Sequence, residues 1–238
     1  MAKERLDKLI ASTGRWSRRE VKTLVREGRV LVDGRIAGSA EEKYDAESCR
    51  IAVNGEELLL RRHTYVMLHK PAGVLSATED GRGRTVLDLL TPELRKIGVF
   101  PVGRLDKDTE GLLLLTDDGE LAHALLSPKK HVDKVYYARV SGRLTPEDCA
   151  AFEAGMTLGD GLECLPAGLE ILAAGETSEC LVTLREGKFH QVKRMLAARG
   201  KPVTYLKRLS MGSLRLDDML APGEFRLLTA AEEAQLQR

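Results

Sequence analysis

Apolar residues near the start of the chain recur at the spacing of a helix, and residues 5–12 are therefore predicted to be helical. A second helix is predicted to begin at Ser17, because its spacing to Glu20 is typical of a capping box, and to end at Gly28. Residues 30–36, an apolar run followed by an Asp-Gly turn, predict a tight hairpin. Together these elements predict a small helix-helix-strand unit.

A second, larger unit is predicted to start after a linker at about residues 58–64. Its strand-like and helix-like runs do not follow a regular βαβ rhythm. We therefore expect domains at residues 1–60 and 61–238, and an α+β fold with a mostly antiparallel mixed sheet flanked by helices in the larger domain. Strands are predicted at 65–69, 99–105, 112–116, 134–140 and 180–184, and helices near 85–90, at 119–126, from Pro146 onward and at 190–199.

Charge is segregated along the chain, although the formal net charge is only +1. Residues 1–36 contain ten Lys and Arg against five Asp and Glu, and residues 185–208 contain eight against one. The second predicted helix gathers four basic side chains within an arc of about 100°, namely Arg18, Arg19, Lys22 and Arg26. A basic helix face can be merely solvated. Two basic surfaces far apart in sequence nevertheless suit a long anionic ligand.

Neither a secretory leader nor a membrane span is predicted. The chain is charged from residue 3, and no uninterrupted apolar run exceeds four residues. The four cysteines have no C-x-x-C spacing and no paired histidine, so we expect them to be reduced and structural rather than zinc ligands. We expect a cytoplasmic protein that does not associate with membranes.

The segment GRLDKDTEG at residues 103–111 places three acidic residues and two glycines on a loop between apolar strands, where sites often lie. Its acidic spacing partly matches a calcium loop. The flanks predict strands rather than the helices of an EF-hand, however, and Asp117 replaces the closing Glu. A second interpretation makes Asp106 an ionised nucleophile or base, with Arg104 beside it to hold a phosphate. A third makes Asp106 a turn residue bonded to its own backbone.

The basic N-terminal segment RLDKLIASTGRWSRREVKTLVREGRVLVDGRIA resembles the S4 RNA-binding domain. This resemblance covers roughly the first quarter of the chain. It implies that RNA is the ligand and that the four basic residues of the second helix contact it.

The segment GRLDKDTEGLLLLT at 103–116 resembles the catalytic motif of the pseudouridine synthases. With the S4-like start, KPAG at 70–73, DKVYYARV at 133–140 and EGKFHQVKRM at 186–195, the chain is similar to the RsuA branch, which modifies small-subunit ribosomal RNA. The similarity spans nearly the whole chain. It implies isomerisation of one uridine to pseudouridine, with no cofactor and no metal.

The resemblance also implies roles for individual residues. Asp106 would be the catalytic carboxylate, Lys193 its ion-pair partner, and Arg104 a residue that holds the flipped nucleotide. Tyr136 would stack on the uracil and assist proton removal, although strand alternation alone does not choose between it and Tyr137. Further RNA contacts are expected from His190, Gln191 and Arg194, where a structural role for His190 is equally compatible with the sequence.

The expected partner is 16S ribosomal RNA or a small-subunit assembly intermediate, bound by a monomer. Within the same family, the alternative is a synthase that acts on 23S ribosomal RNA. Outside it, the alternative is a non-catalytic S4-type RNA-binding or ribosome-assembly factor. Such a factor would tolerate loss of the Asp106 carboxylate, whereas the enzyme would not.

Overall fold

The computed structural model describes residues 3–46, 48–127 and 130–236. Spatial proximity of Cα atoms divides the chain into two compact units. Unit 1 extends to Thr64 and includes Leu90–Val99, and unit 2 comprises the rest. The sequence analysis assigned residues 90–99 to the second domain, whereas in the structure this segment groups with the first unit.

Unit 1 packs short helices against small antiparallel sheets. Its elements are β1 (Glu4–Arg5), α1 (Leu6–Ala11), α2 (Arg18–Arg26), β2 (Val30–Val32), β3 (Arg35–Ile36), β4 (Lys43–Tyr44), β5 (Ile51–Val53), β6 (Glu56–Leu58) and α3 (Pro92–Ile97). Four strands form a sheet in the order β3-β2-β5-β6, and β1 pairs with β4. Leu6, Ile10, Val21, Val30 and Ile51 are fully buried in the core of this unit, so the apolar faces of α1 and α2 contribute to its packing.

The predicted capping box at the start of α2 is confirmed. Ser17 Oγ accepts a hydrogen bond from the backbone N–H of Glu20, whose carboxylate accepts one from the Ser17 N–H at 2.6 Å. This exchange satisfies two of the N–H groups that a helix start leaves unpaired. The basic residues of α2 lie on its solvent-facing side, and all four are exposed: Arg18, Arg19, Lys22 and Arg26.

Helix α3 was not predicted, although the sequence carries a clear signal for it. Thr91 caps the helix through its hydroxyl, which accepts from Leu94 N, and Pro92 occupies the first turn. Gly98 ends the helix in a left-handed conformation with φ of +87°. The same Thr-Pro-Glu pattern correctly predicted the helix that begins at Pro146.

Unit 2 is built on a mixed sheet of nine strands. Its elements are β7 (Tyr65–Lys70), a 3-10 turn (Val86–Leu89), β8 (Phe100–Pro101), β9 (Glu110–Thr116), α4 (Gly119–Leu126), β10 (Lys134–Ser141), α5 (Pro146–Ala154), β11 (Met156–Thr157), β12 (Glu163–Cys164), β13 (Gly168–Ala173), β14 (Thr177–Leu184), α6 (Gln191–Ala198), β15 (Val203–Met211), β16 (Leu214–Arg215), β17 (Phe225–Leu227) and α7 (Ala230–Leu236). The main strand order is β13-β14-β10-β15-β9-β7-β17, with β8 on β9 and β16 on β15. This is the predicted α+β class.

The two halves of this sheet meet where β15 pairs in parallel with β9. At this junction Gly111 lies opposite Arg208. A Cβ on Gly111, whose φ is +104°, would lie 2.2 Å from the Arg208 carbonyl oxygen and 2.6 Å from its nitrogen. Only glycine permits such an approach, so the residue that closes the GRLDKDTEG segment fixes the junction.

Two sequence predictions need correction in the region before β9. The predicted strand at 99–105 is only the two-residue β8, because Gly103 turns the chain with φ of +77° and Leu105 bonds to a side chain rather than to a strand. The predicted helix near 85–90 is a 3-10 turn over Val86–Leu89. Residues 102–109 therefore form a loop. In the described part of the chain, no helix has both the length and the apolar content to cross a bilayer.

Candidate active site

The loop between β8 and β9 wraps around the ammonium group of Lys70, the last residue of β7. The Lys70 side chain is fully buried. Its Nζ donates to the backbone oxygens of Thr109 at 2.9 Å, Pro71 at 3.0 Å, Asp106 at 3.1 Å and Lys107 at 3.3 Å. A buried cation requires such compensation, and here the compensating oxygens belong largely to the loop that carries Asp106.

Burial lowers the pKa of Lys70 to about 8, although the carboxylates of Asp108 and Asp106 act in the opposite direction.

A second anchor holds the loop beside this lysine. The Ser76 hydroxyl donates to the Leu105 carbonyl at 2.9 Å and accepts from the Leu105 N–H at 3.1 Å. The backbone immediately before Asp106 is therefore fixed by β7 and the residues that follow it.

The Asp106 carboxylate lies between two basic side chains. Lys193 Nζ on α6 is 3.1 Å from Oδ2, and His190 Nε2 is 3.5 Å from Oδ1. The Asp106 side chain remains 24% exposed, so it can reach a ligand. The structure thus brings the Asp106 carboxylate of the loop together with the start of α6.

Lys193 is shared between two carboxylates, because its Nζ also contacts Asp108. Burial lowers the pKa of Lys193, but the two carboxylates outweigh it and the net pKa is raised. The ammonium is therefore charged at neutral pH. In turn, the hydrogen bond from Lys193 lowers the pKa of Asp108.

The turn before α6 is held by a buried amide. Gln191 Nε2 donates to Glu186 Oε1 at 2.6 Å, and its Oε1 accepts from the Lys188 N–H at 3.0 Å. Glu186 also accepts from the Leu165 N–H at 2.9 Å. His190 caps the helix with a left-handed φ of +52°, a conformation that non-glycine residues rarely adopt.

A small cavity of about 70 Å³ opens beside the Asp106 carboxylate. Its polar lining includes Arg104, Thr109, Tyr136 and His190. The Thr109 hydroxyl is buried and has no hydrogen-bond partner in the described residues. Because small-molecule pockets are typically about 300–1,000 Å³, a cavity this small suits one planar ring better than a whole nucleotide.

Tyr136 and Tyr137 face opposite sides of β10. Tyr136 is nearly buried and lines the cavity, whereas Tyr137 contacts Tyr205 edge-on with ring centroids 6.1 Å apart. Next to Tyr136 in the ladder lies Arg208, buried, whose Nε donates to the Leu112 carbonyl at 2.8 Å. The cavity therefore has an aromatic wall, and a buried arginine is paired with this tyrosine on the neighbouring strand.

The three acidic residues of the GRLDKDTEG segment do not all meet at one point. Asp106 and Asp108 both contact Lys193, and Glu110 accepts a hydrogen bond from the Tyr205 hydroxyl at 2.8 Å. Across residues 3–46, 48–127 and 130–236, no group of three or more His, Cys, Asp or Glu side chains is arranged to hold a metal ion. A carboxylate, a cation, a phenol ring and a basic rim instead suit covalent or acid-base chemistry on a flat anionic ligand.

Comparison with known families identifies the chemistry. The model described as RNA pseudouridylate synthase matches residues 64–198, and the S4 domain model matches residues 4–48. The chain belongs to the RNA pseudouridine synthase family. It is thus an isomerase with an N-terminal S4 domain, as the sequence predicted.

Relatives of this synthase match along almost the whole chain. An uncharacterized RNA pseudouridine synthase of Bacillus subtilis (strain 168) is 50% identical, covering 96% of each chain. Ribosomal small subunit pseudouridine synthase A of Vibrio cholerae is 40% identical over 98% of this chain and 99% of its own. Ribosomal large subunit pseudouridine synthase B of Bacillus subtilis is 39% identical over 98% and 96%.

A pseudouridylate synthase of known crystal structure is also similar to this chain. It is 35% identical, covers 98% of this chain and 99% of its own, and has a TM-score of 0.68. The sheet and the S4 domain described above are therefore the architecture of a solved member of the family.

The structure brings five of the sequence-predicted residues of the synthase together around one cavity. These are Arg104, Asp106, Tyr136, His190 and Gln191. Lys193 adjoins them through Asp106. Arg194 lies apart from the cavity lining, where its guanidinium pairs with Asp160. The basic residues of α2 belong to unit 1.

Three residues to which the sequence analysis gave no role in the synthase site support it. Lys70 gathers the loop carbonyls, Asp108 shares Lys193, and Glu186 anchors the turn before α6. Lys70 carries the one usable signal, because a lysine that ends an apolar strand immediately before Pro71 is unlike a solvated surface lysine. Asp108 pairs with Lys193, which is distant in sequence, and Glu186 accepts from Leu165 and from Gln191 in the turn before α6. No local sequence pattern therefore indicates the roles of Asp108 and Glu186.

Proposed function

We propose that this synthase isomerises a uridine of small-subunit ribosomal RNA, with Asp106 as the catalytic carboxylate. The observation that carries the proposal is the position of Asp106, partly exposed beside a cavity and 3.1 Å from the Lys193 ammonium. A carboxylate held in this way can attack an electrophilic carbon and later leave it.

The target base must leave the RNA stack before Asp106 can reach it, because C1′ is inaccessible within stacked nucleotides. Tyr136 lies where it can stack on an extruded uracil, and Arg104 at the cavity lining can hold a phosphate. A ring-sized cavity then keeps the detached uracil from escaping, which would leave an abasic site.

In the proposed reaction, Asp106 promotes cleavage of the bond between N1 of the uracil and C1′. The uracil turns while it remains in the cavity, and its C5 forms a new bond to C1′. C5 then loses its hydrogen as a proton, which Tyr136 assists, and N1 gains one. The balance is an isomerisation, so neither an oxidant nor a cofactor is required.

The proposal also gives each unit a task. The S4 match at residues 4–48 and the synthase match at 64–198 support an RNA-binding domain at residues 1–60 and a catalytic domain at 61–238. In the first domain, Arg18, Arg19, Lys22 and Arg26 add salt-sensitive affinity for RNA. His190, Gln191 and Arg194 belong to the substrate side of the second. We expect the protein to act as a monomer in the cytoplasm, where ribosomal subunits are assembled.

The choice of ribosomal subunit has a specific alternative. The Vibrio cholerae relative named for the small subunit and the Bacillus subtilis relative named for the large subunit are 40% and 39% identical to this chain. A uridine of 23S ribosomal RNA is therefore the second candidate. Tritium release from separate 16S and 23S transcripts labelled at uracil C5 distinguishes the two.

The catalytic part of the proposal is tested with Asp106→Asn in the same tritium assay. We expect turnover to be lost while RNA binding persists, because the amide has the size of the carboxylate but lacks its charge and its nucleophilic oxygen. Glu120→Gln is the matched control: it removes a carboxylate charge from an exposed side chain outside the cavity lining, and we expect it to retain turnover. Normal tritium release by Asp106→Asn would refute the proposed role of Asp106.

A further inference from the structure

Phe189 is a large aromatic side chain left in solvent beside the catalytic cleft. It is 70% exposed. One face of its ring stacks on the His190 imidazole, with centroids 3.8 Å apart and planes 19° from parallel. His190 in turn reaches the Asp106 carboxylate at 3.5 Å. The other face of the Phe189 ring is free to accept a planar partner.

The turn that carries Phe189 is rigid. His190 adopts a left-handed φ of +52°, and its carbonyl accepts from the Arg194 N–H at 2.9 Å. On the other side, the Lys188 N–H bonds to the buried Gln191 amide, which is itself fixed by Glu186. A ring held in place before binding loses little conformational entropy when a ligand stacks on it.

The surroundings of Phe189 favour a nucleobase as its partner. Its chain neighbours Lys188 and His190 both line the cavity, whereas Phe189 itself does not. The cavity rim also carries Arg104. An aromatic plate flanked by cations is the arrangement with which proteins bind unstacked bases and their phosphates.

We propose that Phe189 is a stacking platform at the mouth of the cavity, on which the base next to the extruded uridine rests. This inference rests on the proposed function in that RNA is the ligand. It adds a contact outside the ring-sized cavity. Extrusion of a uridine breaks the stacking of its neighbour, and the Phe189 ring replaces that stacking partner.

Binding of a fluorescein-labelled 12-mer of oligouridylate, measured by anisotropy, tests the platform. We expect Phe189→Ala to raise Kd by roughly 5- to 100-fold, the range for loss of one base-aromatic stack. Phe189→Leu should raise Kd as much as Phe189→Ala does, since leucine keeps the apolar bulk but has no π face. Phe189→Trp should bind the oligonucleotide at least as tightly as wild type. The slope of affinity against salt should not change, because no phosphate contact is removed.

Two controls separate stacking from a general loss of structure. Met219→Ala removes a side chain that is 88% exposed and outside the cavity lining, and should leave binding unchanged. In a Trp16→Phe background, the tryptophan introduced by Phe189→Trp should lose fluorescence when the oligonucleotide binds. Wild-type affinity in Phe189→Ala or Phe189→Leu, unchanged emission at saturation, or no binding of the oligonucleotide to the wild-type chain would each overturn the platform.

Failure of the proposed function gives a different result. If the wild-type chain released no tritium from any ribosomal RNA while Phe189→Ala still weakened oligonucleotide binding, the catalytic proposal would fail and the platform would stand. Conversely, Asp106→Asn should bind the oligonucleotide like wild type. Tritium release that depends on Asp106, together with binding that is indifferent to Phe189, would remove the platform alone.

Discussion

Basic side chains of α2 in unit 1 and three basic side chains of unit 2 lie in opposite environments. On α2 of unit 1, Arg18, Arg19, Lys22 and Arg26 are exposed, and the contact between Lys22 Nζ and Glu41 spans 3.4 Å at the surface. In unit 2, Lys70, Lys134 and Arg208 are buried. Each of them donates to a backbone carbonyl: Lys70 to Thr109, Lys134 to Val132 and Arg208 to Leu112.

The difference follows from what burial does to a charge. An exposed cation keeps its hydration and can exchange counterions for phosphates, so it adds affinity that falls as salt rises. A buried cation loses hydration and must be surrounded by fixed dipoles, so it holds a particular backbone arrangement. Burial lowers the pKa of both Lys70 and Lys134, as expected for cations that are buried to hold the backbone. Sequence charge alone does not separate the two uses.

The largest effect on kcat is expected from substitution of Lys193. Its side chain is partly exposed, like the cations of α2, yet it is held by an ion pair with Asp106. Lys193→Met should lower kcat by about 10²–10³-fold, the range for loss of one preorganised electrostatic partner, with RNA affinity changed only a few-fold. Lys193→Arg should restore most of the turnover. Single-turnover tritium release measures kcat, and rapid turnover by Lys193→Met would show that the ion pair is dispensable.

Lys70→Met tests whether a buried cation positions the loop. Without the ammonium, the carbonyls of Asp106 and Thr109 lose a common donor, and we expect kcat to fall by about 10- to 100-fold through misplacement of the carboxylate. RNA affinity should be unchanged. Lys134→Met is the matched control, because Lys134 is a second buried lysine whose Nζ bonds to the Val132 carbonyl rather than to the loop. Equal losses in the two variants would contradict a specific role for Lys70.

Charge reversal on α2 tests the exposed cations. The double variant Arg18→Glu, Arg19→Glu should raise Kd for ribosomal RNA by about 10-fold at moderate salt and flatten its salt dependence by about one unit for each cation removed. Turnover on a short saturating substrate should not change. Arg50→Glu serves as the control, since its side chain is 84% exposed but lies outside α2. Equal loss of affinity and turnover would show that α2 acts on the catalytic step.

The smallest effect concerns pH. The pKa of Lys70 falls from 10.5 to about 8 on folding, so the unfolded chain binds more protons than the folded chain between these values. The free energy of unfolding of wild type, measured relative to Lys70→Met, should therefore rise with pH through this window. Turnover should instead decline a few-fold above about pH 8, as the ammonium that gathers the loop is lost. A decline of the same size in Lys70→Met would assign it to another group.

Elements with local signals were predictable from the sequence. The Ser17 and Glu20 capping box, the hairpin after Gly28 and helix α4 all follow from contacts within a few residues. A capping threonine followed by proline, at Thr91 and Pro92, likewise predicts α3. The sequence analysis instead placed a helix on the neighbouring apolar residues at 85–90. The extended strand predicted at 99–105 was wrong because Gly103 turns the chain with a positive φ. The Ser76 hydroxyl, which is distant in sequence, holds the chain in this turned path through Leu105.

Within the site, motifs supplied the residues but not their surroundings. The resemblance pointed to Asp106, Tyr136 and Lys193, which the fold brings to one cavity or its edge. Burial of Lys70 and exposure of Phe189 reverse the usual preferences of those residue types. Both depend on tertiary contacts, so neither could be read from spacing alone.

The parallel junction between Gly111 and Arg208 sets the earliest point in synthesis at which the two halves of the catalytic sheet can join. The loop that carries Asp106 precedes β9, and the helix that carries Lys193 follows β14. These strands lie in the two halves of the sheet that β15 (Val203–Met211) joins. A nascent chain that has already formed α1 to β6 must still extend by about 150 residues (Leu58 to Met211) before this junction can close. The segment that matches the S4 domain, residues 4–48, is therefore synthesised long before the strand that joins the two halves of the catalytic sheet.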